Sequence, residues 1–226
     1  MTLGRLEKQQ PDGEAEIAFY KQVLRKHPER IHLLDFLAYA LFKQAEYIEA
    51  IHCWKKLLKK QGAKEAHIVL ARIAQSYELL GEMEQAYHYY EKVQRISENN
   101  LEIIGKYGEI AYLLENYNDA LGAFRIIVNR EPYNEIAWHN LALSYYNLGL
   151  HDEAIECLEK SLEIDDESAD SWYTLASIYS ENYLVNDALF TLERALSLDA
   201  TLINKAKKEQ SFYPMMESKL FQYLIS

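Results

Sequence analysis

The sequence predicts an all-α fold, a solenoid of stacked helix-turn-helix units rather than a globule around one centre. The first observation is a ruler of alanines: Ala50, Ala86, Ala120, Ala154 and Ala188 stand 36, 34, 34 and 34 residues apart. Each is followed four places on by a large residue: Trp54, Tyr90, Phe124, Leu158 and Leu192. Self-similarity at a period of this length marks stacked units, each too small to bury its own apolar face. The second observation is composition. Hydrophobic residues make up 49% of the 226, while glycine (8) and proline (4) are scarce and sit mostly at expected helix ends.

Taken in order, residues 1–30 read as part of a unit. Leu3-Gly4 belongs to a shortened first helix, Pro11-Asp12-Gly13 to the turn and residues 14–26 to the second helix, with Pro28 at the close. The array therefore begins on a half unit, either truncated or natural. Five complete units follow at 31–64, 67–100, 101–134, 135–168 and 169–202, with Glu65-Ala66 as a two-residue insertion. Their first helices carry apolar sites at spacings of three, one and three, which share one helical face. The sets are Leu34, Leu37, Ala38, Leu41; Leu70, Ile73, Ala74, Tyr77; and Ile104, Tyr107, Gly108, Ala111. Trp138, Leu141, Ala142, Tyr145 and Trp172, Leu175, Ala176, Tyr179 complete them. The small third residue is where two helices approach closely.

Gly81-Glu82, Asn116-Tyr117-Asn118-Asp119 and Gly149-Leu150-His151-Asp152 are turn signals between the helices of a unit. Glycine there accepts a left-handed backbone, and Asp or Asn is expected to cap the following helix. The second helix presents the ruler alanine, its large partner and a further apolar or small site: Leu57, Val93, Ile127, Ser161 or Ala195. Residues 203–226 read as capping helices. Helical stretches are expected over 202–210 and 214–223, the second showing Met215, Met216, Leu220, Phe221 and Leu224. An end unit needs a cover for its apolar face. The alternative is a Met-rich interface for another chain.

The pattern resembles the tetratricopeptide repeat family over nearly the whole chain, most closely in Trp138, Leu141-Ala142, Tyr145, Gly149 and Ala154. Pro132 closes only the 101–134 unit, and Ala111 stands where the family usually has Tyr. The resemblance implies a right-handed α-solenoid whose first helices line a concave, peptide-binding wall. Their non-core sites include Tyr39, Arg72, Gln75, Lys106, Glu109, Tyr112, His139, Asn140, Leu143, Tyr146 and Tyr173. Arg72, Lys106 and Asn140 fall 34 residues apart in one column, a ladder of donors suited to backbone carbonyls or a carboxylate. The tyrosines offer flat, amphipathic contact area. The carboxylate clamp by which some family members hold chaperone tails is not reproduced, and Asp35 and Glu109 intrude on it.

Charge excludes one class of partner. Residues 1–100 carry 15 Lys and Arg against 14 Asp and Glu, residues 101–200 carry 5 against 19, and residues 201–226 carry 4 against 2. So acidic a C-terminal half repels duplex nucleic acid. The basic group Lys55, Lys56, Lys59, Lys60 and Lys64 reads as a solubilising outer face, or as a pole that meets acidic groups of a partner or second copy. Cys53 and Cys157 sit at equivalent places in separate units, which argues against a disulfide and for a reducing, cytoplasmic compartment. No apolar run is long enough for a membrane span. No metal-binding, nucleophile or phosphate-loop motif appears, so neither a cofactor nor a metal is expected.

The functional expectation is a non-catalytic scaffold that holds a peptide segment of a protein partner in its concave groove. Two rivals are a self-assembling structural module, in effect a homo-oligomer, and a dedicated chaperone of a secreted or membrane-associated client.

Overall fold

The structure, a computed structural model, describes residues 13–61, 66–97 and 99–226. Leu3-Gly4, Pro11-Asp12, Lys64 and Glu65, which figure in the sequence reading, lie outside these residues. Every regular element among the described residues is helical. The chain falls into two compact units, Met1–Ile103 and Ile104–Ser226. The first holds α1 (Gly13–Lys26), α2 (Leu33–Lys43), α3 (Tyr47–Gln61), α4 (Ala66–Leu79) and α5 (Met83–Ile96). Next comes α6 (Leu101–Leu113), which reaches into the second unit; then α7 (Tyr117–Arg130), α8 (Glu135–Asn147), α9 (His151–Ile164), α10 (Ala169–Glu181) and α11 (Val185–Leu198). The C-terminal stretch is α12 (Leu202–Ala206), a 3₁₀ turn over Gln210–Met215 and α13 (Lys219–Leu224). Within each unit, helices adjacent in sequence pack together. No helix among the described residues is long and apolar enough to cross a membrane.

One backbone event recurs at every hairpin. Ala45, Gly81, Glu115, Gly149 and Tyr183 adopt φ of 59°, 75°, 61°, 75° and 60°, the left-handed region. The following N–H then bonds back to a carbonyl five residues earlier: Glu46 to Leu41, Glu82 to Tyr77, Asn116 to Ala111, Leu150 to Tyr145 and Leu184 to Tyr179. These bonds satisfy carbonyls that the first helix would leave orphaned and return the chain for the second.

This closure corrects the expected Asp and Asn caps on the second helices. Glu82, Asn116, Leu150 and Leu184 hold those positions, and none caps through its side chain. Side-chain caps stand on first helices instead. Asn100 accepts the Ile103 N–H at 3.2 Å, and Asn134 accepts the Ala137 N–H at 3.0 Å.

Packing follows the ruler. All five ruler alanines are 0% exposed, and their large partners are buried beside them. In the second unit Gly108 of α6 meets α7 so closely that a Cβ would lie 2.9 Å from Phe124 and 3.0 Å from Ala123. Trp138 and Trp172 are only half-buried, because each indole N–H reaches a link carbonyl, Pro132 or Asp166, at 2.9 Å. Phe212, Met215 and Phe221 are fully buried in a cluster with Tyr173, Ala176, Leu192 and Leu196. The expected helix over 214–223 is split, since Pro214 falls in the 3₁₀ turn and Ser218 caps the start of α13.

A left-handed backbone costs a residue with a Cβ about 1 kcal/mol or more. At Gly81 and Gly149 a Cβ would meet nothing within 4 Å, so only the backbone resists substitution. Gly149→Ala is therefore expected to lower stability by about 1 kcal/mol, and Glu115→Gly to raise it by a smaller amount. Urea denaturation of the three proteins checks both signs.

Candidate functional site

The expected wall residues lie in both units. In the first, Asp35 and Tyr39 are one helical turn apart on α2, and α4 brings Arg72 to them. Arg72 Nη1 donates to Asp35 Oδ1 at 2.6 Å, and Trp54 Nε1 donates to the same oxygen at 2.8 Å. The Arg72 guanidinium also lies 5.3 Å from the centre of the Tyr39 ring, and Lys43 Nζ approaches that ring at the same distance. Arg72 is thus engaged, half-exposed, by a carboxylate and an aromatic face of its own chain. Gln75 is exposed.

In the second unit Lys106 of α6 pairs with Glu109 at 2.8 Å, the ordinary geometry of neighbours three apart on a helix. Two of the three expected donors therefore already hold a carboxylate of this chain. Asn140 has no side-chain hydrogen bond among the described residues, and Leu143 beside it is half-buried.

The aromatic sites of this unit are fixed by bonds between successive first helices. Asn147 Nδ2 of α8 donates to the Tyr112 hydroxyl of α6 at 2.9 Å. The Tyr146 hydroxyl of α8 donates to Glu181 of α10 at 2.8 Å. Burial and then that bonded carboxylate push the Tyr146 pKa well above the usual phenol range. His139 Nδ1 lies 2.9 Å from Ser171 Oγ, again joining α8 to α10. Tyr173 is only 3% exposed, and its hydroxyl has no partner among the described residues. Lys205 Nζ sits 4.5 Å from the centre of its ring.

A polar knot lies behind this face. One Glu135 oxygen accepts from Ser161 and Ser168 at 2.9 Å and from Ser171 at 3.4 Å. A serine, a histidine and a carboxylate therefore do meet, but not in the arrangement of an activated nucleophile. The carboxylate bonds to hydroxyls rather than to the imidazole, and Ser171 is 0% exposed. The knot ties α8, α9 and α10 together. It was missed in the sequence; its signal was Ser161, a hydroxyl in a column otherwise apolar. No group of three possible metal ligands occurs among the described residues. Cys157 is buried, which lifts its thiol pKa to about 11, and burial also raises that of half-buried Cys53.

Residues 68–100, 136–168 and 169–202 match models of the tetratricopeptide repeat. No curated protein sequence matches the chain. Among solved structures, YrrB, described as a TPR protein with an unusual peptide-binding site, is 21% identical, covering 84% of this chain and 98% of its own with a TM-score of 0.71. The C-terminal part of a TPR repeat-containing protein from Cytophaga hutchinsonii is 16% identical over 93% of this chain and 86% of its own, TM-score 0.70. MamA from Desulfovibrio magneticus RS-1 is 18% identical over 76% and 96%, TM-score 0.66. At such identities the likeness is one of fold.

Burial lowers the His139 pKa, although Asp170 and Glu135 pull the other way. The unfolded chain then takes up a proton near the ordinary value of about 6.5 while the folded one resists. Stability contributed by neutral His139 is present above that value and is lost as pH falls below it. Urea denaturation at about pH 7.5 and 5.5 should show a larger loss for the wild type than for His139→Gln. Equal losses would remove His139 as the source.

Proposed function

The chain belongs to the tetratricopeptide repeat family, and we propose that it is a non-catalytic scaffold that binds a peptide segment of a protein partner along its first helices. The binding face of residues 104–226 comprises Tyr112, Asn140, Leu143 and Tyr146, with Lys106, Glu109 and His139 at its borders; Tyr173, expected on this face, is buried and offers it no contact area. Tyr39, Arg72 and Gln75 supply the corresponding sites of the first unit.

The observation that carries this reading is the set of helix-to-helix bonds Tyr112–Asn147, Tyr146–Glu181 and His139–Ser171. A side chain already held in place loses little rotamer entropy when a ligand arrives, so an ordered aromatic face binds at lower cost than a mobile one. Asn140 brings an amide that can both donate to and accept from a peptide backbone, and Leu143 brings apolar area. The peptide-binding site ascribed to YrrB lends the same support by likeness of fold.

The ion pairs change the chemistry expected of the ligand. With Arg72 and Lys106 each facing a carboxylate, recognition on this face rests on amide and aromatic contacts rather than on a ladder of free cations.

Selection of a phage-displayed random peptide library on the full chain tests the proposal. Clones should be recovered that lose affinity by about tenfold or more on Leu143→Glu and on Tyr146→Ala. If every recovered clone binds both variants as well as the wild type, the first-helix face is not the binding surface.

A further inference from the structure

A second feature lies where α1, α2 and α3 meet in the first unit. A cleft of about 320 Å³ opens there, floored by Leu24, Ile31, Leu34 and Leu37. Its flanks are cationic: Lys21 and Arg25 from α1, Lys56 and Lys60 from α3. Within each pair the residues are four apart, so both project from one face of their helix, a turn apart. Two short rows of positive charge therefore border one apolar floor, and no acidic residue among the described residues lines the cleft.

Several other cations of the unit are engaged within the chain. Lys43 pairs with Glu16, Arg72 with Asp35 and Arg95 with Glu91. Lys55 donates to the Tyr77 hydroxyl at 2.6 Å and lies against the Tyr77 and Tyr89 rings. Lys21, Arg25, Lys56 and Lys60 form no salt bridge with a described residue. Convergence of like charges over apolar surface raises the local potential and favours an anionic occupant. Cys53 lies in the cleft wall, where burial, and to a lesser degree Glu49, raise its thiol pKa while Lys56 and Lys21 act in the opposite direction. Charges from both rows are thus felt at one point.

The shape of the charge selects among anions. One carboxylate or phosphate would answer one row and leave the apolar floor unused. A flat anionic membrane would meet exposed cations but not fill a concave floor. Two rows astride an apolar cleft match a chain that carries an apolar side chain between acidic ones.

We propose that this cleft docks an acidic peptide segment of a protein partner, with an apolar side chain seated on Leu24, Leu34 and Leu37 and flanking Asp or Glu carboxylates meeting Lys21, Arg25, Lys56 and Lys60. The site is formed by α1 and the second helix α3 over α2. It is separate from the first-helix face and does not depend on it. Ion pairing makes its affinity salt-dependent, and the apolar anchor makes it selective.

The test is a random peptide display selection on the full chain, counter-selected with Lys21→Glu/Lys56→Glu, both exposed positions. Arg25→Glu/Lys60→Glu provides a second, independent variant, and circular dichroism checks folding of each. Clones lost on both variants should carry Asp or Glu on either side of Leu, Ile, Met or Phe. Their synthetic peptides should bind the wild type at least about tenfold more tightly than either variant and weaken as salt rises. Replacing the apolar residue by Ser should cost a similar factor, and Leu143→Glu should leave binding unchanged. Saturating peptide should slow alkylation of Cys53 by iodoacetamide and leave Cys157 as it was.

The proposal is overturned by absence of an acidic-apolar motif among charge-dependent clones, by Ser peptides that bind equally well, or by unchanged Cys53 alkylation. Co-sedimentation with phosphatidylserine vesicles in the absence of such clones would assign the cations to a membrane surface instead. Loss on Leu143→Glu but not on the charge variants would leave only the first-helix face.

Discussion

Everything in this structure depends on how closely the two helices of a pair can approach. The ruler alanines have no exposed surface, and the large side chain four residues on lies one turn away on the same buried face. A larger residue at the alanine would force the helices apart or its neighbours off their rotamers, at a cost of about 1–3 kcal/mol. The left-handed turn matters because it returns the chain so that this face, and not an adjacent one, meets the first helix. Close approach and turn are thus two parts of one constraint, which explains why both repeat on the same period. Once they are met, the remaining positions of each helix are assigned to a face and are free to vary.

That freedom shows in the charges. Lys106 and Glu109 are three apart on one helix, so their pairing could be read from spacing alone. Arg72 and Asp35 are 37 residues apart and meet only because α4 packs so as to bring Arg72 over α2. Trp54 completes the arrangement by donating to the same carboxylate, which joins a core residue of α3 to a surface ion pair. On the α1–α3 side of the same unit the charges are not balanced in this way. The contrast is internal to one unit and needs no appeal to net charge.

How much was legible follows from the same distinction. The all-helical class, the pairing of helices and the burial of the ruler alanines come from a periodic pattern, and the structure returns them, whereas the C-terminal stretch, which has no period, is divided differently. The left-handed turns were legible at Gly81 and Gly149, where glycine marks them, and illegible at Ala45, Glu115 and Tyr183, where only the period does. The serine knot was hidden because Ser161, Ser168 and Ser171 belong to two units and converge on Glu135 only after folding. For the candidate face, the residues could be listed by helical position, but which of them were bonded across helices could not. That Lys55 belongs among tyrosines, while Lys56 and Lys60 point to a cleft, is decided by a rotation of about 100° per residue along α3.

The tyrosines show why this composition suits the fold. A phenol packs like a hydrophobic residue but must place its hydroxyl, and here the hydroxyls bond to neighbouring elements: Tyr77 to Lys55, Tyr145 to Arg125, Tyr146 to Glu181. Each such bond fixes a side chain that is apolar on its faces and polar at its tip. Tyr173 differs from these, since its hydroxyl is buried with no partner among the described residues, which costs roughly 1–3 kcal/mol. Its ring packs edge-on against Phe212, with centroids 5.3 Å apart, and lies in the cluster completed by Met215 and Phe221. Burying those side chains removes apolar area worth about 1.5–3 kcal/mol for each. The apolar cover is therefore large enough to hold one phenol unpaired. The same cover places Lys205 above the ring face, where a cation is attracted without a hydrogen bond to the hydroxyl.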